Sequence, residues 1–84
     1  MANIVIYLNK TCPYCTRAKA LLDGRALAYQ VIDVTGSNEL WREMEQRSRR
    51  NTIPQIFIND VHVGGCDELY AADRNGQLDQ LLNS

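Results

Sequence analysis

The sequence predicts an α/β domain built on one mixed sheet with helices on its faces. Three observations carry that prediction. An apolar run, Ile4–Leu8, leads into a helical pattern that opens on two cysteines. A second β-like stretch, residues 27–32, follows that helix, as in a right-handed strand–helix–strand crossover. Two short apolar runs, Gln55–Ile58 and residues 61–63, flank Asn59 and Asp60, the length and composition of a tight hairpin. With 84 residues the chain suits one domain, 1–84, with a small core and a modest stability margin.

Each element has a local reason. Residues 3–8 read as the central strand, because Ile4, Val5 and Ile6 are consecutive β-formers that suit burial on both faces. Residues 9–11 turn into the cysteine pair. The first helix runs from Pro13 to about Asp23, with Cys12 as its cap, placed to accept from first-turn amides. Proline suits the first helical position because it lacks only an amide that the helix leaves unpaired anyway. Cys15, Ala18, Leu21 and Leu22 mark the apolar side, Arg17 and Lys19 the wet side, and Gly24 is expected to end the helix in a left-handed conformation.

Residues 27–32 are expected as a strand parallel to the first, and residues 33–37 as a turn. A second helix over 38–47 places Leu40, Trp41, Met44 and Glu45 near its packed side, with Trp41 a packing residue rather than a ligand platform. Gly64 and Gly65 break the last strand. A third helix over 67–75 turns Leu69 and Tyr70 inward and stops at Gly76. A last helical turn or two returns Leu78, Leu81 and Leu82 to the core.

Composition narrows the function. A formal net charge of -1 exerts no global pull toward nucleic acid or anionic membrane. No apolar run reaches the roughly 18 residues of a membrane span. No basic leader precedes an apolar stretch, and the initiating Met1 counts against a processed one. Free reactive cysteines fit a reducing interior, so the expected location is the cytoplasm. Three cysteines, two of them within one helical turn, do not make a disulfide scaffold.

A C-x-x-C pair at a strand-to-helix junction points to dithiol redox chemistry. The positive end of the helix favours a thiolate over a thiol. Cys12 is then the exposed nucleophile, and Cys15, deeper in the first turn, resolves a mixed disulfide from close range. Lys10 and Arg17 add positive potential, although Arg17 also reads as an ordinary solvated helix residue. A zinc site would need a second ligand pair, for which only Cys66 and His62 are candidates, and the strand-to-helix context favours redox work over metal.

Three segments together, TCPYC at 11–15, TIPQIFI at 52–58 and GGCDEL at 64–69, resemble the small bacterial dithiol glutaredoxins of the thioredoxin superfamily. The resemblance implies a thioredoxin-like fold, a four-stranded mixed sheet flanked by three to four helices. It implies a glutathione-dependent thiol–disulfide oxidoreductase in which glutathione is reductant and co-substrate, with no tightly bound cofactor and no metal. Substrates would be protein–glutathione mixed disulfides and protein disulfides, for some members that of ribonucleotide reductase. The chain is expected to be a monomer without nucleic-acid or membrane partners. Two alternatives accompany this reading: an electron donor reduced by thioredoxin reductase, and a dimer binding an iron–sulfur cluster through Cys12 and glutathione.

The same resemblance assigns site residues. Pro54 would be cis, exposing the Ile53 backbone for antiparallel pairing with the cysteine part of glutathione; from the residues alone a trans proline at a strand start fits as well. The turn of Gly64 and Gly65 would present the amides of Cys66 and Asp67 to the γ-glutamyl carboxylate. The Asp67 side chain would meet the ammonium, or cap the third helix. Cys66 itself reads as a packing residue. Tyr14 would pack on the tripeptide and Thr52 would form part of its rim. Among Arg47, Arg49 and Arg50, a basic cluster that also suits a helix C-terminus, Arg50 best matches a ligand for the glycyl carboxylate. The family usually carries lysine three residues before the nucleophile. Here that residue is Asn9 and the lysine is Lys10, so weaker glutathione binding is expected than with lysine at 9.

Overall fold

The computed structural model describes residues 2–83; Met1 and the domain bounds expected at 1 and 84 lie outside them. The elements run β1 (Ile4–Leu8), α1 (Pro13–Gly24), β2 (Gln30–Asp33), α2 (Asn38–Ser48), β3 (Gln55–Ile58), β4 (Val61–Gly64), α3 (Cys66–Asn75) and α4 (Gln77–Leu82). The sheet order is β2-β1-β3-β4. β1 is parallel to β2 and antiparallel to β3, and β3 is antiparallel to β4. This is the thioredoxin-like mixed sheet, with four helices.

An uninterrupted apolar strand must lie between two layers, and β1 does: all five of its residues are buried. Ile4, Ile6 and Leu8 pack with Cys15, Ala18 and Leu22 of α1 and with Leu69, Ala72 and Leu78 of α3 and α4. On the other face Val5 and Tyr7 pack with Met44 of α2, Phe57 and Val34, with Leu40 and Trp41 partly buried beside them. Tyr7 is fully buried, yet its hydroxyl is satisfied. It donates to the Glu43 carboxylate at 2.6 Å and accepts from Arg47 at 2.7 Å. Burial, followed by the Glu43 bond, pushes the phenol pKa up.

The hairpin has the geometry its sequence asks for: Asn59 and Asp60 both have positive φ, 50° and 66°, as a two-residue type I′ turn requires. Three expectations are corrected. Gly24 does not terminate α1 in a left-handed conformation; Arg25 caps the helix at φ -94°, and the left-handed residue is Ala26 at φ 56°. The Leu27 amide still bonds to the Leu22 carbonyl at 3.1 Å, so the chain leaves α1 late. The second strand therefore begins at Gln30 rather than 27, while Leu27 and Tyr29 cover the α1 side of the core as irregular backbone. α3 begins one residue earlier than expected, with Gly65 and not Asp67 at the cap.

At its far end α1 is tied to the C-terminal helices: Arg25 pairs with Asp73 at 2.9 Å and also with Asp79. Neither pair is buried, so each adds under about 1 kcal/mol. The cysteine end of α1 faces away from this clamp, along the chain direction back to β1.

Candidate active site

The loop that delivers the cysteines is shaped by Asn9. Its side-chain carbonyl accepts from the Thr11 amide at 2.9 Å and the Thr11 hydroxyl at 2.7 Å, and its main-chain carbonyl accepts from the Cys12 amide at 3.2 Å. This is an Asx-type turn, which asparagine makes and lysine does not. Cys12 then caps α1 in extended conformation, φ -82° and ψ 122°, with Pro13 next and no acid in the first turn. Its side chain takes none of the first-turn amides, contrary to the expected side-chain cap. The N-terminal partial charge of α1 is thus left without a carboxylate.

The two sulfurs differ in environment. Cys12 is half-exposed, whereas Cys15 is 1% exposed inside the α1 core. Burial, opposed by the Asn9 backbone amide and reinforced by a hydrogen bond and charge from Cys12, pushes the Cys15 thiol up to about 12. Cys15 therefore keeps its proton at neutral pH. Cys66 is also buried, at 4%, and burial raises its pKa; the charges of Arg17 and Cys12 both reach it. All three cysteines are free thiols.

Across from the dithiol, α2 ends by turning through Arg49 at φ 59°. Buried Ser48 makes this turn: its hydroxyl donates to the Met44 carbonyl at 2.7 Å and accepts from the Arg50 amide at 3.1 Å. The turn sends Arg50 to the site. The Ile53–Pro54 bond is cis. Pro54 leads into β3, and its carbonyl lies 3.2 Å from where a Cβ on Gly65 would stand, so the two loops pack backbone to backbone. Gly64 has φ +124°, and a Cβ there would strike the Glu68 side chain at 2.6 to 2.9 Å.

These pieces enclose a cleft of about 250 Å³ lined by Tyr14, Arg50, Thr52, Ile53, Pro54, Gly65, Cys66, Asp67 and Glu68. Tyr14 is 55% exposed and forms the wall next to the dithiol. The first-turn amides of α3 open into this region. That of Leu69 goes to the Gly65 carbonyl, as a helix requires, and the preceding ones lack intrahelical acceptors. Asp67 is exposed in that first turn.

The glutaredoxin family profile matches residues 4–63. The chain belongs to the glutaredoxin family. It is 52% identical over 82 residues to glutaredoxin 3 of Escherichia coli strain K12, a match spanning 98% of this chain and 99% of that one. The solution structure of the glutaredoxin from Brucella melitensis superposes with a TM-score of 0.85 at 54% identity, covering 98% of this chain and 89% of the other. The crystal structure of a buckwheat glutaredoxin–glutathione complex gives a TM-score of 0.87 at 29% identity, covering 98% and 77%. The chain is thus a dithiol oxidoreductase of glutaredoxin type, acting through the Cys12–Cys15 pair.

The glutaredoxin cleft gathers most residues singled out from the sequence. Eight of them line it: Tyr14, Arg50, Thr52, Ile53, Pro54, Gly65, Cys66 and Asp67. Lys10, Cys12 and Cys15 are not among the lining residues; Lys10 is exposed, and its charge helps lower the Asp33 pKa behind the Thr35 hydrogen bonds that dominate that shift. The arginines do not form one basic patch. Arg47 turns away over the Phe57 ring, 4.3 Å from its centroid, and lies 3.8 Å from Asp60, while Arg50 pairs with Glu68.

Glu68 is the lining residue that sequence reasoning missed. One of its oxygens accepts from the Gly65 amide and from Arg50, both at 2.7 Å. The Gly65 amide, then Arg50, hold its carboxyl below the usual 4.5. A glutamate three residues after a helix cap is half of a capping box, and that spacing was readable; glycine has no side chain to return the bond. Among the described residues no three His, Cys, Asp or Glu side chains cluster as a metal site, and no helix is long and apolar enough to cross a membrane.

Proposed function

We propose that the cleft binds glutathione and that the protein reduces protein–glutathione mixed disulfides and protein disulfides with it. The observation that carries this reading is the juxtaposition of a half-exposed Cys12 at an acid-free helix terminus with a cleft lined by a cation, by the first turn of α3 and by Ile53 just ahead of β3. A peptide with a carboxylate at each end and a thiol between suits those three features. Ile53 precedes β3, so its backbone lies outside the sheet ladder and is available for β-type pairing with the peptide. Arg50 holds one carboxylate, the Cys66 and Asp67 amides hold the other, and Asp67 meets the ammonium. The buckwheat relative, solved with glutathione, supports the assignment.

In the first step the Cys12 thiolate attacks the glutathione sulfur of a mixed disulfide. The protein thiolate leaves, takes a proton, and a Cys12–glutathione disulfide remains. The thiolate of a second glutathione then attacks the bound glutathione sulfur, releasing glutathione disulfide and regenerating the Cys12 thiolate. With a protein disulfide, Cys12 forms a mixed disulfide and Cys15 attacks the Cys12 sulfur, displacing the second substrate thiolate. Two glutathiones then reduce the Cys12–Cys15 disulfide. The disulfide of ribonucleotide reductase is a substrate of this class. The protein acts as a monomer in the cytoplasm, where the glutathione pool supplies the electrons.

The test is a glutathione-coupled assay on both substrate types. Cys12→Ser is expected to reduce both activities to background. Cys15→Ser keeps mixed-disulfide reduction and loses most protein-disulfide reduction. Loss of both activities in Cys15→Ser would reverse the roles. Equal turnover with thioredoxin reductase replacing glutathione would make the cleft dispensable.

A further inference from the structure

Gln55 is a polar side chain with no exposed surface, set in a strand whose other members are Ile56, Phe57 and Ile58. Such a group is tolerated in a core only when each of its hydrogen-bonding atoms has a partner. Its amide nitrogen donates to the Thr52 main-chain carbonyl at 3.0 Å and to the Thr52 hydroxyl at 3.2 Å. Its carbonyl oxygen lies 2.7 Å from Nε2 of His62. That oxygen can only accept, so the imidazole carries its proton on Nε2 and donates. The ring is held in turn by Phe57, centroids 5.0 Å apart. β4 also has an irregular register here: Ile56 pairs with Gly64 and Phe57 with His62, leaving Val63 as an extra residue that turns the strand.

We propose that Gln55 and His62 are positioning residues that fix the Thr52–Ile53 backbone as the docking edge for the peptide. The inference rests on the glutathione reading above. Neither residue lines the cleft, and neither touches a sulfur in the contacts described; they act through Thr52, which does line it. Three residues of the cleft follow from this hold, because Thr52, Ile53 and Pro54 are consecutive. Without the Gln55 amide, the Thr52 carbonyl has no other hydrogen-bond partner among the described residues, and the loop is free to rotate toward water. Without the His62 proton, the Gln55 carbonyl is left buried and unpaired, and the amide's best escape is to abandon Thr52. His62 thus acts at one remove, from the far side of the hairpin.

The experiment measures binding of S-methylglutathione, which cannot exchange disulfides, by titration of backbone amide shifts on the full chain. His62→Phe keeps a ring against Phe57 but donates nothing, and His62→Gln keeps a donor without the ring. Loss of one net hydrogen bond predicts about fivefold weaker binding for His62→Phe and for Gln55→Met, with shifts centred on Thr52 and Ile53. His62→Gln is expected to bind within about twofold of wild type. Cys12 alkylation rates stay unchanged in all three, since neither Gln55 nor His62 touches a sulfur in the contacts described. Wild-type affinity in His62→Phe, or equal weakening in His62→Phe and His62→Gln, would overturn the inference, the second because it tracks ring packing rather than the proton. Wild-type protein that fails to bind the analogue would overturn the glutathione reading itself and this role with it.

Discussion

The two helices that open onto the site begin in opposite ways. α1 starts at a cysteine that caps nothing, followed by proline, with no acid in its first turn. α3 starts at Gly65 with Asp67 and Glu68 in its first turn, and Glu68 already takes the Gly65 amide and Arg50. Each helix end carries about half a positive charge. At α3 the protein fills that charge with its own carboxylate and gains a rigid wall. At α1 it leaves the charge open, beside the half-exposed Cys12. The difference separates two tasks, holding a ligand and hosting a transient anion, which one helix terminus could not serve equally well.

The largest effect should come from inside α1. Cys15 reacts as a thiolate, and its pKa in the reduced protein is pushed up to about 12, first by burial. Once Cys12 is tied up in a mixed disulfide, the bond and charge from Cys12 are gone but burial stays. Burial, the first cause of the shift, still raises the pKa. Closure of the Cys12–Cys15 disulfide should therefore speed up about tenfold per pH unit from 6.5 to 8.5, since that is how the thiolate fraction of a higher-pKa group grows. Quenched-flow trapping of the mixed disulfide would read this directly, and a flat profile would mean that Cys15 is not limited by its proton. The same shift has a stability consequence of fixed sign. The folded thiol holds its proton more tightly than the unfolded one, so its contribution is complete below pH 9.0 and is lost as pH rises toward about 12.

The contrast between the helix ends was partly legible in the sequence. Cys12, Pro13 and Cys15 place a helix start at the dithiol by themselves, because first-turn residues are local features, but the side-chain cap expected of Cys12 does not form, and that is what leaves the end open. The Asn59 and Asp60 hairpin and the doubly buried β1 were legible for the same reason. The filled end was not. Glu68 matters through Arg50, 18 positions away, and Gln55 matters through His62 across a bulged hairpin. Local patterning ranks Gln55 as an ordinary strand residue; only the completed sheet shows that it has no water to bond. The start of β2 was misread because residues 27–29 are as apolar as a strand, yet Leu27 and Tyr29 are spent covering the α1 side of the core. Asn9 looked like a missing lysine, whereas it builds the turn that sets Cys12.

A smaller effect is expected from filling α1 as α3 is filled. Thr16 is exposed one turn in, and its hydroxyl reaches only the Cys12 carbonyl, at 3.3 Å. Thr16→Glu places a carboxylate at the positive end of the helix. It should raise stability by a few tenths of a kcal/mol, about 0.3, in a thermal melt. It should also slow iodoacetamide alkylation of Cys12 at pH 7 by about two- to fivefold, because the new charge competes with a sulfur anion for the same dipole. Opposite signs for stability and reactivity are the signature. A variant that is more stable and equally reactive would mean that the α1 dipole does not govern Cys12.

The smallest effect comes from emptying α3. Glu68→Gln removes the charge from the Arg50 pair, whose side chains are 47% and 42% exposed, so the loss of stability should stay under about 1 kcal/mol. Glutamine can still accept from the Gly65 amide, which preserves the wall. Arg50 is then released to an incoming carboxylate, and binding of S-methylglutathione should tighten by about two- to threefold at low salt, an advantage that 0.5 M NaCl should erase, since screening at about that ionic strength is strong. Acid reaches the same state only below the usual 4.5, because the Gly65 amide and Arg50 hold the Glu68 carboxyl down. Weaker binding in Glu68→Gln would invert the comparison: Glu68 would then be aiming Arg50 at the ligand, and the filled end of α3 would orient the cation that it was expected to occupy.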